Sequence, residues 1–252
     1  MATAGQSLAG RIALVTGGAG GIGSAICHLL AREGARLIVT YNSRAERAHA
    51  LVESLEGEGH LVLPLSVRCS EDIVAAAGTV RERYGCLHLL VNNAGTTRVV
   101  PHGDLNALDD ALIDEIFQTN WRGAFAMVRG FRPLLDAAGE ALVVNISSIA
   151  GVTAVGSNVA YCASKAALDS MTKALARALA PKIRVVSVSP GWVMGDYAKS
   201  ADPAYLARQS ELTPLGRIAE AGDVAQAVLA AATLLGFTNG AIIPVDGGRP
   251  LN

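Results

Sequence analysis

Short, nearly continuous runs of Val, Ile and Leu alternate along the chain with longer segments whose apolar residues return every three or four positions. The runs predict strands at 11–16, 36–40, 60–65, 87–92, 141–147, 183–189 and 241–245. Most lack an apolar–polar alternation, so both faces of the strands are expected to be covered. The periodic segments predict helices at 21–33, 44–56, 71–84, 109–136, 159–180 and 220–235. In the fifth, Leu168, Met171, Leu175 and Leu179 make a single apolar stripe. Strand–helix–strand repetition throughout implies an α/β architecture in three layers, a doubly wound, mostly or fully parallel seven-stranded sheet with helices on both faces.

No linker, repeat or low-complexity tract interrupts the rhythm, so residues 1–252 read as a single domain. The segment 190–217 departs from it. Gly191, Pro203 and Pro214 leave room there for at most one short helix, and a connection of this length usually serves as a lid or binding segment.

Composition sharpens the picture. Hydrophobic residues make up 51% of the 252 and charged residues 17%, against the roughly 25% charged of ordinary soluble domains. That balance calls for a large interior and excludes a disordered or fibrous chain. A formal net charge of −1 supplies no field for nucleic acid or an anionic membrane, and no apolar run reaches the ~18 residues of a membrane span. Residues 1–11 lack the basic and apolar stretches of a secretory signal. Cys27, Cys69, Cys86 and Cys162 form no CxxC pair, which points to free thiols in a reducing cytoplasm. The five histidines show no ligand spacing, so no metal is expected.

The first strand runs into Thr16, Gly17, Gly18, Ala19, Gly20, Gly21, Ile22 and Gly23, then a helix. A glycine-rich turn in that place lets the backbone approach a pyrophosphate, whose charge sits at the positive helix N-terminus. Two registers fit: Gly18, Gly20 and Gly23 as G-x-G-x-x-G, or Gly17, Gly21 and Gly23 as G-x-x-x-G-x-G. An acid about 20 residues on would select NAD by binding the adenosine ribose. Here the second strand ends in Tyr41, Asn42, Ser43 and Arg44, with no acid before Glu46. Arg44 can fork onto a 2′-phosphate with Asn42 and Ser43 adding hydrogen bonds, which favours NADP(H) over NAD(H). The alternative is that Arg44 is a solvated residue opening the second helix.

Tyr161 and Lys165 stand one helical turn apart on one face. A neighbouring positive charge favours phenolate and brings a weak acid–base group towards working pH. Upstream, the fifth strand ends in Ser147 and Ser148, either of which reaches the same region through the following loop. Asn92, Asn93, Ala94 and Gly95 close the fourth strand, and Asn120 falls inside the fourth helical pattern.

Taken in order, TGGAGGIG, NNAG, Asn120, Ser148, Tyr161 with Lys165, and Pro190-Gly191 resemble the short-chain dehydrogenase/reductase family in its single-domain, ~250-residue branch with a Rossmann fold. The resemblance spans essentially the whole chain. It implies that Tyr161 is the general acid protonating a carbonyl, or the base in reverse. Lys165 would lower the tyrosine's pKa and bind the nicotinamide ribose, Ser148 would orient the carbonyl, and Asn120 would hold a proton-relaying water. It further implies that Asn93, Ala94 and Gly95 flank the adenosine ribose, and that Pro190, Gly191 and Val193 line the nicotinamide. A homotetramer is the implied assembly, pairing helices 109–136 and 159–180.

Three residues depart from the family pattern. Ser66 before Val67 replaces the aspartate that commonly meets the adenine amino group, Gly195 replaces a threonine near the carboxamide, and Gly20 replaces a basic residue of the glycine loop. Thr97-Arg98 after NNAG resembles 3-oxoacyl thioester reductases, which makes such a thioester, or another ketone, the implied substrate. Ile149, Val155 and Trp192 are the expected substrate contacts, with Lys199 and Arg208 available in the loop. A catalytically silent dinucleotide-binding regulator on the same fold is the alternative; such proteins usually lose the Tyr or the Lys, and this chain keeps both.

Overall fold

The computed structural model describes residues 7–195 and 202–251; residues 196–201 of the expected loop, Lys199 among them, lie outside the described residues. The strands are β1 Ile12–Val15, β2 Arg36–Tyr41, β3 Leu61–Pro64, β4 Leu89–Asn92, β5 Ala141–Ile146, β6 Ile183–Pro190 and β7 Ile242–Val245. They form one seven-stranded sheet in the order β3-β2-β1-β4-β5-β6-β7, parallel at every pairing. The helices are α1 Gly21–Arg32, α2 Ala45–Glu53, α3 Ser70–Tyr84, α4 Asp110–Phe117, α5 Ala124–Ala137, α6 Ala150–Thr153, α7 Val159–Leu179, α8 Pro203–Glu211 and α9 Ala221–Thr233.

The unbroken apolar runs have a direct structural reason. Ala13 and Val15 of β1, Leu37 and Val39 of β2, and Val91 of β4 turn to one face, where Ile26 and Leu30 of α1 and Val224 and Val228 of α9 cover them. Their neighbours Ile12, Leu14, Ile38 and Leu90 turn to the other, under Ile73 and Val80 of α3 and Met127 and Phe131 of α5. With both faces buried, alternation would place polar groups in the core.

A rung close to the carboxyl ends of the central strands is polar instead. Asn92, Asn145 and Ser187 are register partners on β4, β5 and β6. All are buried, and hydrogen bonds tie them together under α7: Asn92 Nδ2 donates to Asn145 Oδ1 at 2.9 Å, Asn145 Nδ2 donates to Thr172 Oγ1 at 2.8 Å, and Thr172 Oγ1 lies 2.8 Å from Ser187 Oγ.

The helix expected over 109–136 is interrupted. A π-helical turn, Gln118–Gly123, separates α4 from α5. A side chain at Gly123 would come within 2.7 Å of Val67 Cγ2, so glycine lets the turn press against the segment after β3. The short α6 stands where a loop was expected, and α8 occupies the middle of the 190–217 segment. Other boundaries move by a few residues at the ends, as helix and strand ends fray. Among the described residues no helix is long and apolar enough to cross a membrane.

Candidate active site

The strand order reverses between β1 and β4, and there the carboxyl ends of the strands border a cleft of about 690 Å³. Its floor is the glycine turn. Gly20 caps α1, whose first turn carries no acid and no side-chain cap, so the leading amides remain available to an anion.

The glycines divide the labour, and the two registers do not compete. Gly17 sits at φ +61°, where a side chain would also meet Ala94 Cα at 3.3 Å. At Gly23 a side chain would meet Gly17 O at 2.6 Å, whereas Gly21 opens onto free space. Gly18 faces away from the cleft, and a side chain there would strike Val39 Cγ1 at 2.9 Å. Gly23→Ala is therefore expected to destabilise the fold by about 1–3 kcal/mol through overpacking, read as a lower denaturant midpoint. Gly21→Ala should leave the midpoint in place and weaken dinucleotide binding in a fluorescence titration. Equal stability of the two variants would contradict this division.

The NNAG turn is locked onto the glycine turn by Thr16, a role its place in the sequence motif did not reveal. Thr16 Oγ1 accepts from the amides of Asn93 and Ala94, each at 2.9 Å, and Asn93 Nδ2 donates to Thr16 O at 2.9 Å and Gly17 O at 3.1 Å. Asn42, Ser43 and Arg44 edge the same cleft, as do Ser66, Val67, Asn93, Ala94, Gly95 and Val193. Arg44 is exposed at the N-cap of α2 and has no carboxylate partner among the described residues, so both readings of it hold as geometry. The Ser66 amide donates to Asp72 Oδ2 at 3.0 Å. Arg68, Glu115 and Thr119 also line the cleft, and nothing in the sequence pattern marked them. Pro190 and Gly191 end β6, with Pro190 O accepting from the Ile149 amide at 3.0 Å.

The chemical groups gather beside this cleft on α7 and the end of β5. Asn158 Oδ1 caps α7 by accepting from the Tyr161 amide at 2.7 Å, and its Nδ2 donates to Arg98 O at 2.7 Å. Lys165 is buried, with Nζ donating to Ile146 O at 2.8 Å and lying 5.7 Å from the centre of the Tyr161 ring. A side chain at Gly95 would come within 3.4 Å of Asn120 Oδ1 and 3.9 Å of Lys165 Nζ, so the ammonium adjoins the cleft wall. Ser148, half-buried, faces the Tyr161 phenol and favours its ionised form, while Ser147 lies beneath and donates to Lys165 O at 3.4 Å. Asn120 lies in the π turn with its side chain fully engaged. Oδ1 accepts from the Thr96 amide at 2.8 Å, and Nδ2 donates to Thr96 O and Ser164 Oγ, both at 3.1 Å.

Burial raises Tyr161 above its ordinary value, and the Ser148 hydroxyl that faces it offsets part of that rise. Burial also pulls Lys165 down to about 8, opposed by the carboxylate of Asp169. The half-buried phenol is therefore protonated at neutral pH.

Of the expected substrate contacts, Ile149 is half-buried, Val155 is exposed, and Trp192 meets Tyr205 edge-on with ring centres 5.7 Å apart.

A parallel sheet with a switch-point cleft, an open glycine turn and a tyrosine–lysine pair at its side defines a nicotinamide-dinucleotide oxidoreductase. Residues 17–249 match the family model described as enoyl-(acyl carrier protein) reductase. The chain is 35% identical to D-threitol dehydrogenase of Mycolicibacterium smegmatis, over 96% of this chain and 93% of that protein. It is 34% identical to a 3-oxoacyl-(acyl-carrier-protein) reductase of Thermotoga maritima, over 96% and 98%. A short-chain glucose/ribitol dehydrogenase structure from Brucella melitensis superposes with a TM-score of 0.89 at 29% identity, covering 97% of this chain and 98% of that one. The chain belongs to the short-chain dehydrogenase/reductase family.

Proposed function

We propose that the protein is an NADP(H)-dependent carbonyl reductase, running in reverse as a secondary-alcohol dehydrogenase, and that the whole chain forms one catalytic unit. The supporting observation is the place of Lys165, which joins the phenol of Tyr161 to the cleft wall at Gly95. The residues fit a dinucleotide: the turn at Gly17, Gly20 and Gly21 leaves amides and space for a pyrophosphate, and Arg44 with Asn42 and Ser43 suits a 2′-phosphate. Asn93, Ala94 and Gly95 fit its adenosine ribose, and Val193 with Pro190 and Gly191 its nicotinamide.

The bound nicotinamide supplies or accepts the hydride. Tyr161 gives its proton to the carbonyl oxygen, and Ser148 donates a hydrogen bond to that same oxygen. Lys165 holds ribose hydroxyls and keeps positive charge beside the phenol as it ionises. Asn120, spent on Thr96 and Ser164, braces the π turn and α7.

The substrate is a ketone with an apolar body, a 3-oxoacyl thioester first among them. Val152 and Val155 expose apolar surface on α6 and the loop after it, and Val99 does so on a segment joined to that loop through Val100 N and Ser157 O at 2.8 Å. Arg98 is paired with Asp109 at 3.5 Å, which lessens its pull on an anionic substrate. A panel of ketones that includes a short 3-oxoacyl thioester, read by NADPH consumption, tests the reading. Tight NADPH binding with no ketone reduced would favour the silent regulator.

The enzyme assembles as a homotetramer in a reducing cytoplasm, where its four thiols stay free. Ala166, Ala174 and Ala178 give α7 a small-residue outer face, and Trp121 stacks on Phe125 (ring centres 6.3 Å apart) at a half-exposed patch beside α5. Light scattering is expected to give a tetramer mass; a monomer would contradict this.

A further inference from the structure

We propose that Asp169 is a positioning residue for the reaction, the buried counter-charge that keeps the Lys165 side chain protonated beneath Tyr161. The proposal rests on the reading of Tyr161 and Lys165 as the reacting pair. Tyr161, Lys165 and Asp169 follow one another at four-residue steps on α7, so all three lie on one face. Asp169 is 7% exposed and Lys165 6%, and both are enclosed between α7 and the polar rung of the sheet.

A carboxylate at that depth is costly unless something compensates its charge. Hydrogen bonds do not. Neither carboxyl oxygen of Asp169 has a hydrogen-bond partner among the described residues. Burial holds its carboxyl above the usual carboxylate range, a rise opposed by the Ser147 and Ser187 hydroxyls that face it and by the ammonium of Lys165, but Ser147 donates to Lys165 O and Ser187 pairs with Thr172. What remains is charge. The cations acting on Asp169 come from its own helix, Lys165 within the interior and the exposed Lys173 one turn on. On the sheet side the groups acting on it are the hydroxyls of Ser147, just past β5, and Ser187 of β6, and the π turn packed on α7 presents Asn120. For Lys165 the reverse holds: Asp169 is the carboxylate that counters its burial, while its Nζ donates one hydrogen bond to the Ile146 carbonyl. The pair acts through a poorly polarisable interior, where charge reaches further than in water.

The sign follows. Burial favours the neutral amine of Lys165, and the charge of Asp169 favours the ammonium. Without that charge Lys165 loses its proton at a lower pH, so the alkaline limb of reduction moves in the acid direction.

The test is Asp169→Asn, nearly isosteric, in the full-length protein. The alkaline limb of kcat/KM for NADPH-dependent reduction is expected to fall by about one pH unit, giving about fivefold loss near pH 8 and little loss near pH 6. Asp169→Glu, which keeps the charge, should return the limb towards the wild-type position. A uniform loss at every pH, or an unmoved limb, would overturn the proposal. A second reading needs no turnover. The chain has four lysines, Lys165, Lys173, Lys182 and Lys199, so lysine labelled with carbon-13 at Cε gives a countable spectrum, with Lys165 identified by its loss in Lys165→Arg. Wild-type Lys165 is expected to titrate near 8 and to move lower in Asp169→Asn. A wild-type Lys165 already neutral at pH 7 would overturn the proposal even if Asp169→Asn did not fold. A shifted lysine titration in a protein that reduces no ketone would sink the reductase reading and leave the charge pairing intact.

Discussion

Tyr161→Phe is expected to reduce ketones about a thousandfold more slowly than wild type while binding NADPH with unchanged affinity. The substitution removes one oxygen from a side chain whose backbone amide is held by Asn158 and whose ring packs near Lys165, so the surrounding structure has little cause to move. What disappears is the phenol that the proposed mechanism uses as the acid. Ser148 remains and can still polarise the oxygen, but a hydroxyl bonded to the Ala150 amide cannot release a proton at neutral pH. Burial raises the Tyr161 pKa, so in wild type the phenol is protonated across the neutral range and the loss in Tyr161→Phe should be about as large near pH 6 as near pH 7.5. Stopped-flow reduction together with a fluorescence titration of NADPH separates the two quantities. A parallel fall in cofactor affinity would mean that the tyrosine shapes the cleft rather than the chemistry.

Arg44→Ala is expected to raise the KM for NADPH by roughly 10- to 100-fold and to leave that for NADH nearly unchanged. Hydrogen bonds to a charged group are worth about 1.5–3 kcal/mol, and each 1.4 kcal/mol is about tenfold in affinity. Arg44 stands exposed at the edge of the cleft without a carboxylate partner among the described residues, so no ion pair there has to break before it meets a phosphate. Its position also limits the effect, since an exposed guanidinium is screened by salt. The discrimination should narrow as ionic strength rises. The glycine turn carries Gly20 where a second base would stand, so no other charge in that turn replaces Arg44. Equal changes for both cofactors would mark it as an ordinary solvated residue at the start of α2.

The sheet was legible because its chemistry is one-dimensional. A strand covered on both faces must be apolar at every position, and the runs through Leu14, Leu90 and Val143 announce this without help from neighbours. The glycine turn and the Tyr161–Lys165 spacing were legible for a similar reason, since each acts through residues adjacent in sequence. Features that depend on the third dimension were not. The π turn around Asn120 adds a residue to one helical turn because Gly123 presses on Val67, a contact between segments more than fifty residues apart. Thr16 reads as an ordinary strand end until β4 brings Asn93 and Ala94 against its hydroxyl. Asp169 sits beside Leu168 on a helix and looks like a solvated position; only the polar rung of Asn92, Asn145 and Ser187 shows that it points inward. The upward direction of the Tyr161 shift was hidden too, because spacing says nothing of how far the phenol is desolvated.

The central claim is that Tyr161 hands its proton to a carbonyl set against the nicotinamide. A single-turnover experiment with NADPH deuterated at the transferable position, followed by mass spectrometry of the alcohol, tests it most directly. Wild type is expected to place deuterium on the carbinol carbon of the product, with Tyr161→Phe forming almost none of that product in the same time. Labelled alcohol appearing as fast from Tyr161→Phe as from wild type would contradict the account.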